Sequence, residues 1–171
     1  MKWIGISGTW RYSTPELEED VIREVTRVIA RGDGIVTGGA LGVDYLATDV
    51  VMRLNPSLER LKVFLPATIE VYGTNYQQRA LEGLISPQQA KQVISMLKKI
   101  KLVRPACIVE NLSVKVVNEH AYSVRNKQVV QASDELFAFQ INDSLGTQNT
   151  IDSAVKMGKK TTIFSYKIDL K

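Results

Sequence analysis

The sequence predicts an α/β fold: a mainly parallel, doubly wound sheet between two helical layers, with a helical insertion at about residues 67–115. Short, unbroken apolar runs alternate with helical stretches in the order β-α-β-α-β over residues 3–66, and the alternation resumes after residue 116. Such runs belong to strands covered on both faces, the condition of a parallel sheet. The strands also leave through turns rich in glycine and threonine that open helices directly, as at the ligand-binding edge of such sheets.

Taken in order, WIGIS at 3–7 is a short strand that ends at Gly8. The stretch 13–32 is a helix: Ser13 and Glu16 fit a capping box, and Pro15 falls in the first turn, where a missing N–H costs little. Its apolar stripe is Leu17, Val21, Val25, Val28 and Ile29, and Gly32 stops it. A strand at 34–37, a glycine turn, a helix at 43–54 and a strand at 61–66 follow. After the insertion come a helix through 117–133, a strand at 135–141, a helix at 147–157 and a strand at 160–166. Within the insertion, Ser86, Pro87 and Gln89 open a helix that ends in Lys98, Lys99, Lys101 and Arg104. That segment reads as a lid or an interaction surface. Its basic cluster reads either as a solvated helix end or as a phosphate-binding patch.

Length and composition narrow the classes. The 171 residues suit a single domain, 1–171, with a sizeable core. No apolar stretch approaches the ~20 residues of a membrane span, and the N-terminus reads as a first strand rather than a signal peptide, so a cytoplasmic protein is expected. Cys107 and His120 are each alone of their kind, which argues against a disulfide, a metal site or a metal cofactor. The 22 Lys and Arg against 18 Asp and Glu, a net +4, lean weakly towards anionic partners.

Three turns carry the chemistry. In GISGTWR, Gly8, Thr9 and Trp10 offer backbone N–H groups and a hydroxyl to a phosphate, and Arg11 adds charge. In IVTGGALGVD, Gly38, Gly39, Ala40 and Gly42 let the backbone close on an anion at a helix N-terminus. The spacing G-G-x-x-G is neither a dinucleotide fingerprint nor a Walker A loop. Asp44 there reads either as a plain N-terminal carboxylate or as a ribose ligand. In the third turn Gly146 and Thr147 open a helix and Thr150 lies one turn further on the same side, whereas Ala154 and Gly158 suit helix–sheet packing. Together the three turns imply a phosphate pocket at one sheet edge.

The stretches GISGTW, VTGGALGVD, RNKQVVQASDELFAF and GTQNTIDSAVKMGKK, in that order, resemble the Rossmann-like domain shared by the DNA-processing protein A (DprA/Smf) family and the LOG phosphoribohydrolases, the SLOG superfamily. The similarity spans residues 1–66 and 120–166 and is greater to the DprA branch. It implies a Rossmann-like three-layer sandwich whose loops line an anion pocket, a nucleotide or single-stranded nucleic acid as partner, and a homodimer without a membrane. Arg125 and Asn126 match the family's R-N pair, Trp10 stands where DprA proteins usually carry an arginine, and Leu41 where they often carry another. In this reading Arg125 supplies charge, Thr9, Thr147 and Thr150 supply hydroxyls, and Asp44 or Asn126 reads a ribose. Trp10 either stacks on a base or packs against the insertion. A continuous basic track for DNA would need Lys98–Arg104 and Lys156–Lys160 on one face. LOG-type hydrolysis of a nucleoside monophosphate is disfavoured, because the family's catalytic glutamate falls on Thr150 and its P-G-G motif on NDSLG. No catalytic residue is expected; Glu119, Asp143 and Asp152 are the carboxylates left over.

Overall fold

A computed structural model describes residues 1–170. The strands are β1 (Trp3–Gly8), β2 (Gly34–Thr37), β3 (Leu61–Phe64), β4 (Ile108–Val109), β5 (Glu135–Ile141) and β6 (Lys160–Tyr166). The helices are α1 (Pro15–Ala30), α2 (Val43–Leu54), α3 (Ile69–Leu81), α4 (Pro87–Val103), α5 (Glu119–Gln131) and α6 (Leu145–Lys156). All six strands are parallel, in the order β4-β3-β2-β1-β5-β6. The α/β, doubly wound, Rossmann-like class expected from the sequence is borne out.

The strand order follows from burial. Ile4 and Ile6 of β1 and Leu136, Ala138 and Phe139 of β5 are at most 1% exposed, so both strands need neighbours on each side and helices on each face. The chain runs outward from β1 through β2 and β3 to β4, then returns to lay β5 against the other side of β1. The order therefore reverses beside β1, and a crevice opens beyond the carboxyl ends of β1 and β5.

Helix α1 buries the same five residues that form its apolar stripe in the sequence. Its cap differs from the sequence expectation. Thr14, not Ser13, accepts the Leu17 amide at 3.1 Å, while Ser13 Oγ donates to Glu18. Proline occupies the first helical position here, which makes the residue directly before it the cap. Ser86 and Gln89 form the expected reciprocal box on α4. Segment 67–115 is helical as expected but is also woven into the sheet, since β4 pairs with β3 and Tyr72 of α3 is fully buried. It is thus part of the core rather than a lid laid over it. Cys107 lies buried, its Sγ donating to the Leu58 carbonyl at 2.9 Å, and burial pushes the thiol pKa up, which makes it an inert packing residue. Among the described residues no helix is long and apolar enough to cross a membrane.

Candidate functional site

The crevice beyond β1 and β5 is a cavity of about 470 Å³. The loops after β1 and β2, the cavity-facing sides of α3 and α5, and the start of α6 wall it. Gly8, Thr9, Trp10, Arg11, Gly38 and Ala40 line it, as do Asp44, Arg125, Asn126, Gly146, Thr147 and Thr150. Gly39 and Gly42 lie behind this lining. A side chain on Gly39 would meet Leu65 and Val63 in the core at 2.7 and 2.9 Å, and one on Gly42 would strike the Thr9–Trp10 backbone.

The glycines after β2 answer first to the protein itself. Gly38 donates its N–H to Asp44 Oδ2 at 3.0 Å, and its carbonyl accepts Arg125 Nη1. A Cβ on Gly38 would run into that guanidinium. Asp44 also accepts the Ala40 amide at 3.4 Å and lies 4.0 Å from Arg125 Nη1. Asp44 is thus tied to the loop before its own helix and to Arg125. Burial pushes its pKa up, opposed by Arg125 and the two amides. Arg125 is itself buried, which on its own draws its pKa down. The surrounding Tyr72, Asp44, Tyr76 and Tyr122 more than offset that and keep it charged.

Two of Arg125's N–H donors are committed, one to Gly38 and one to Asn126 Oδ1 at 2.8 Å. In the loop after β1 the Thr9 amide is engaged with the Phe139 carbonyl at 3.3 Å, and the Thr9 carbonyl accepts the Val43 amide. These groups hold the loops together.

The start of α6 lies open to the cavity. Helices α1, α3, α4 and α5 are each capped by a side chain, from Thr14, Thr68, Ser86 and Asn118, whereas α2 starts at Gly42 without one, behind the cavity lining. Helix α6 begins at the cavity with no side-chain cap, because Ser144 Oγ donates to Thr147 Oγ1 at 2.9 Å instead of accepting an amide. The Thr150 hydroxyl donates back to the Gly146 carbonyl, which is ordinary within a helix. The chain enters α6 through Asn142 and Asp143, whose φ of 48° and 52° are left-handed, a geometry these two residue types tolerate better than most. A Cβ on Gly146 would meet nothing within 4 Å, so this turn faces open space.

Sequence reasoning missed Tyr76, Arg79 and Tyr122 in the lining. Tyr76 accepts the Leu41 amide at 3.1 Å and shares a hydrogen bond with Tyr72, tying α3 to the loop after β2. Arg79 lies over the Trp10 and Tyr122 rings at 5.1 and 5.4 Å, and Arg11 lies over Trp10 at 5.2 Å. Trp10 thus packs under guanidinium groups, one of them from the inserted segment. The missed signal was spacing. Tyr72, Tyr76 and Arg79 share one face of α3, and Tyr122 sits one turn before Arg125 on α5.

The basic clusters lie elsewhere. Neither Lys98–Arg104 nor Lys156–Lys160 lines the cavity; Lys160 pairs with Glu135, and Arg104 lies 4.0 Å from Glu59, both just at or before strand starts.

No family model matches the chain, and no curated protein does. Solved structures do resemble it. DNA processing protein A from Helicobacter pylori, described for its single-stranded DNA binding mode, superposes with a TM-score of 0.66 at 21% identity, covering 95% of this chain and 64% of that one. This chain thus spans just under two thirds of that protein. The molybdenum cofactor binding protein of Rippkaea orientalis gives 0.60 at 17% identity, covering 96% and 77%. The molybdenum cofactor carrier protein of Chlamydomonas reinhardtii gives 0.58 at 14%, covering 97% and 79%. At these identities the likeness is one of fold, and it is the fold that the DprA resemblance implied.

Proposed function

We propose that this protein binds a nucleotide through its phosphate, in the cavity beyond β1 and β5, with the phosphate seated on the uncapped first turn of α6. The single observation that carries the reading is that open turn. Its N–H groups lack a capping side chain, face a cavity, and sit at the positive end of a 12-residue helix. A volume of about 470 Å³ falls within the ~300–1,000 Å³ usual for small-molecule sites. The DNA-binding description of the Helicobacter pylori protein adds support at the level of phosphate chemistry.

Two features favour a nucleotide over a long nucleic-acid strand and binding over hydrolysis. The lysine clusters that would extend a DNA track do not adjoin the cavity. Glu119, Asp143 and Asp152 do not line it either, while Asp44, which does, is engaged by two amides and Arg125. Homodimerisation belongs to the same reading and is checked by sedimentation velocity at two protein concentrations.

Gly146→Glu tests the reading directly. The site has room for the side chain, and a carboxylate at this end of α6 suits the helix dipole while filling the anion seat. The expected outcome is a folded protein, no less heat-stable, that no longer binds nucleotides which raise the melting temperature of the unaltered chain. Unchanged nucleotide binding by Gly146→Glu, or no nucleotide binding by the parent, would sink the proposal. An oligo-dT titration at two salt concentrations runs alongside; stabilisation by oligo-dT alone, lost at high salt, would move the reading to DNA.

A further inference from the structure

Arg11 and Arg79 stand apart from the other arginines. Arg23, Arg27, Arg31, Arg53 and Arg104 each lie within 4.0 Å of a carboxylate oxygen. Arg60 and Arg125 donate to backbone carbonyls. Arg11 and Arg79 make no ion pair among the described residues and rest instead on aromatic rings, both of them over Trp10. Both line the cavity. Among the described residues that lining carries three arginines and one carboxylate, Asp44. The carboxylate is spent on Arg125 and the backbone around it, which leaves two cations with nothing to neutralise them.

Arg79 enters the cavity from the side away from the first turn of α6. Helix α6 leaves β5, on one side of β1. Arg79 belongs to α3, which is tied through Tyr76 to the loop after β2, on the other side of β1. Arg11 stands between them, on the loop after β1, where Arg79 also reaches Trp10. Two phosphates on opposite sides of a sugar reach further across this interval than the two phosphates of a diphosphate, which share an oxygen.

We propose that Arg11 and Arg79 form a second phosphate subsite, so that the ligand carries two phosphate groups on opposite sides of one nucleoside, as a nucleoside 3′,5′-bisphosphate does. The inference rests on the nucleotide reading and sharpens it. One phosphate takes the α6 turn, the ribose crosses the mouth of β1, and the other phosphate draws the guanidinium groups off Trp10. Arginine suits this duty, since its planar fork can leave an indole face for two phosphate oxygens at little conformational cost.

Calorimetric titration of the unaltered chain with adenosine and uridine 3′,5′-bisphosphates, the matching 5′-monophosphates and ADP tests it. The bisphosphates are expected to bind about tenfold tighter than the monophosphates or ADP, the weight of one added charge-assisted contact. Arg79→Gln should bring the ratio of bisphosphate to monophosphate affinity close to one. With two tryptophans in the chain, a Trp3→Phe background leaves Trp10 as the sole reporter, and its emission should respond to bisphosphate more than to monophosphate. Equal affinities for the two ligand classes, or a bisphosphate advantage that survives Arg79→Gln, would overturn the second subsite while leaving monophosphate binding intact. Loss of the nucleotide reading itself looks different: no ligand of the series binds, or Gly146→Glu binds them all.

Discussion

Gly38 is held at both ends by side chains of opposite charge, Asp44 on its N–H and Arg125 on its carbonyl. Replacing it with alanine drives a methyl group into the Arg125 guanidinium and should cost on the order of 1–3 kcal/mol, read by urea unfolding. Arg125→Met should cost more, about 3–5 kcal/mol near pH 7, because it strands a buried carboxylate. That loss has a pH signature. Asp44 already has a raised pKa, and an acid whose folded pKa lies above its unfolded value contributes most at low pH. The Arg125→Met deficit should therefore shrink as pH falls and Asp44 takes up a proton. A deficit that is the same at pH 7 and pH 5 would count against the pairing. Adding Asp44→Asn should recover much of it at either pH. The sequence announced that something approaches the backbone at these glycines, but not what. The occupant of Gly38 is a side chain 87 residues away, and no local pattern encodes that.

Amphipathic helices with sharp boundaries were legible as elements, down to the five buried residues of α1 and the cap of α4. Helix α3 was not. Its buried face is Ile69, Tyr72, Gly73 and Tyr76, and two tyrosines with a glycine make a poor apolar stripe even though they bury fully. Strand β4 was missed because two residues carry no periodicity. The caps separate stability from binding. Ser86→Ala should cost about 1 kcal/mol in thermal unfolding without changing nucleotide affinity, since its helix starts away from the cavity. Gly146→Glu should do the reverse. Replacing a helical glycine and favouring the dipole raises the melting temperature, while binding is lost. A Gly146→Glu variant that melts below the parent would contradict this account of α6.

Across the whole molecule the two edges of the sheet divide the labour. The amino edge is stapled by carboxylates. Asp33 accepts the Lys2 amide at 2.8 Å, Asp134 accepts the Trp3 amide at 2.7 Å, and Glu135 takes the Lys2 and Lys160 ammonium groups. At the far end of β6, Asp20 accepts the Tyr166 hydroxyl at 2.6 Å, joining α1 to that strand. The Tyr166 hydroxyl holds the Asp20 carboxyl below the ordinary range, the Lys2 amide does the same for Asp33, and the Lys2 ammonium for Glu135. A lowered folded pKa gives stability that is present above about pH 4 and is lost as pH falls further. Melting temperature should hold from pH 7 to about 5 and then drop, and an Asp20→Asn, Asp33→Asn, Glu135→Gln variant should show a shallower drop below about pH 4. The parallel class was readable from unbroken apolar strands. The strand order was not, because it depends on which distant strand fills the free side of β1.

That free side matters while the chain is being made. β1 takes β5 as a partner along five residues, and the Trp3 amide bond to Asp134 spans 131 positions. A nascent chain therefore carries Ile4 and Ile6 on a strand open along one edge until residue 141 has left the ribosome. Until then the floor of the cavity is missing, and the exposed edge is a surface for chaperones or for the strands of neighbouring nascent chains.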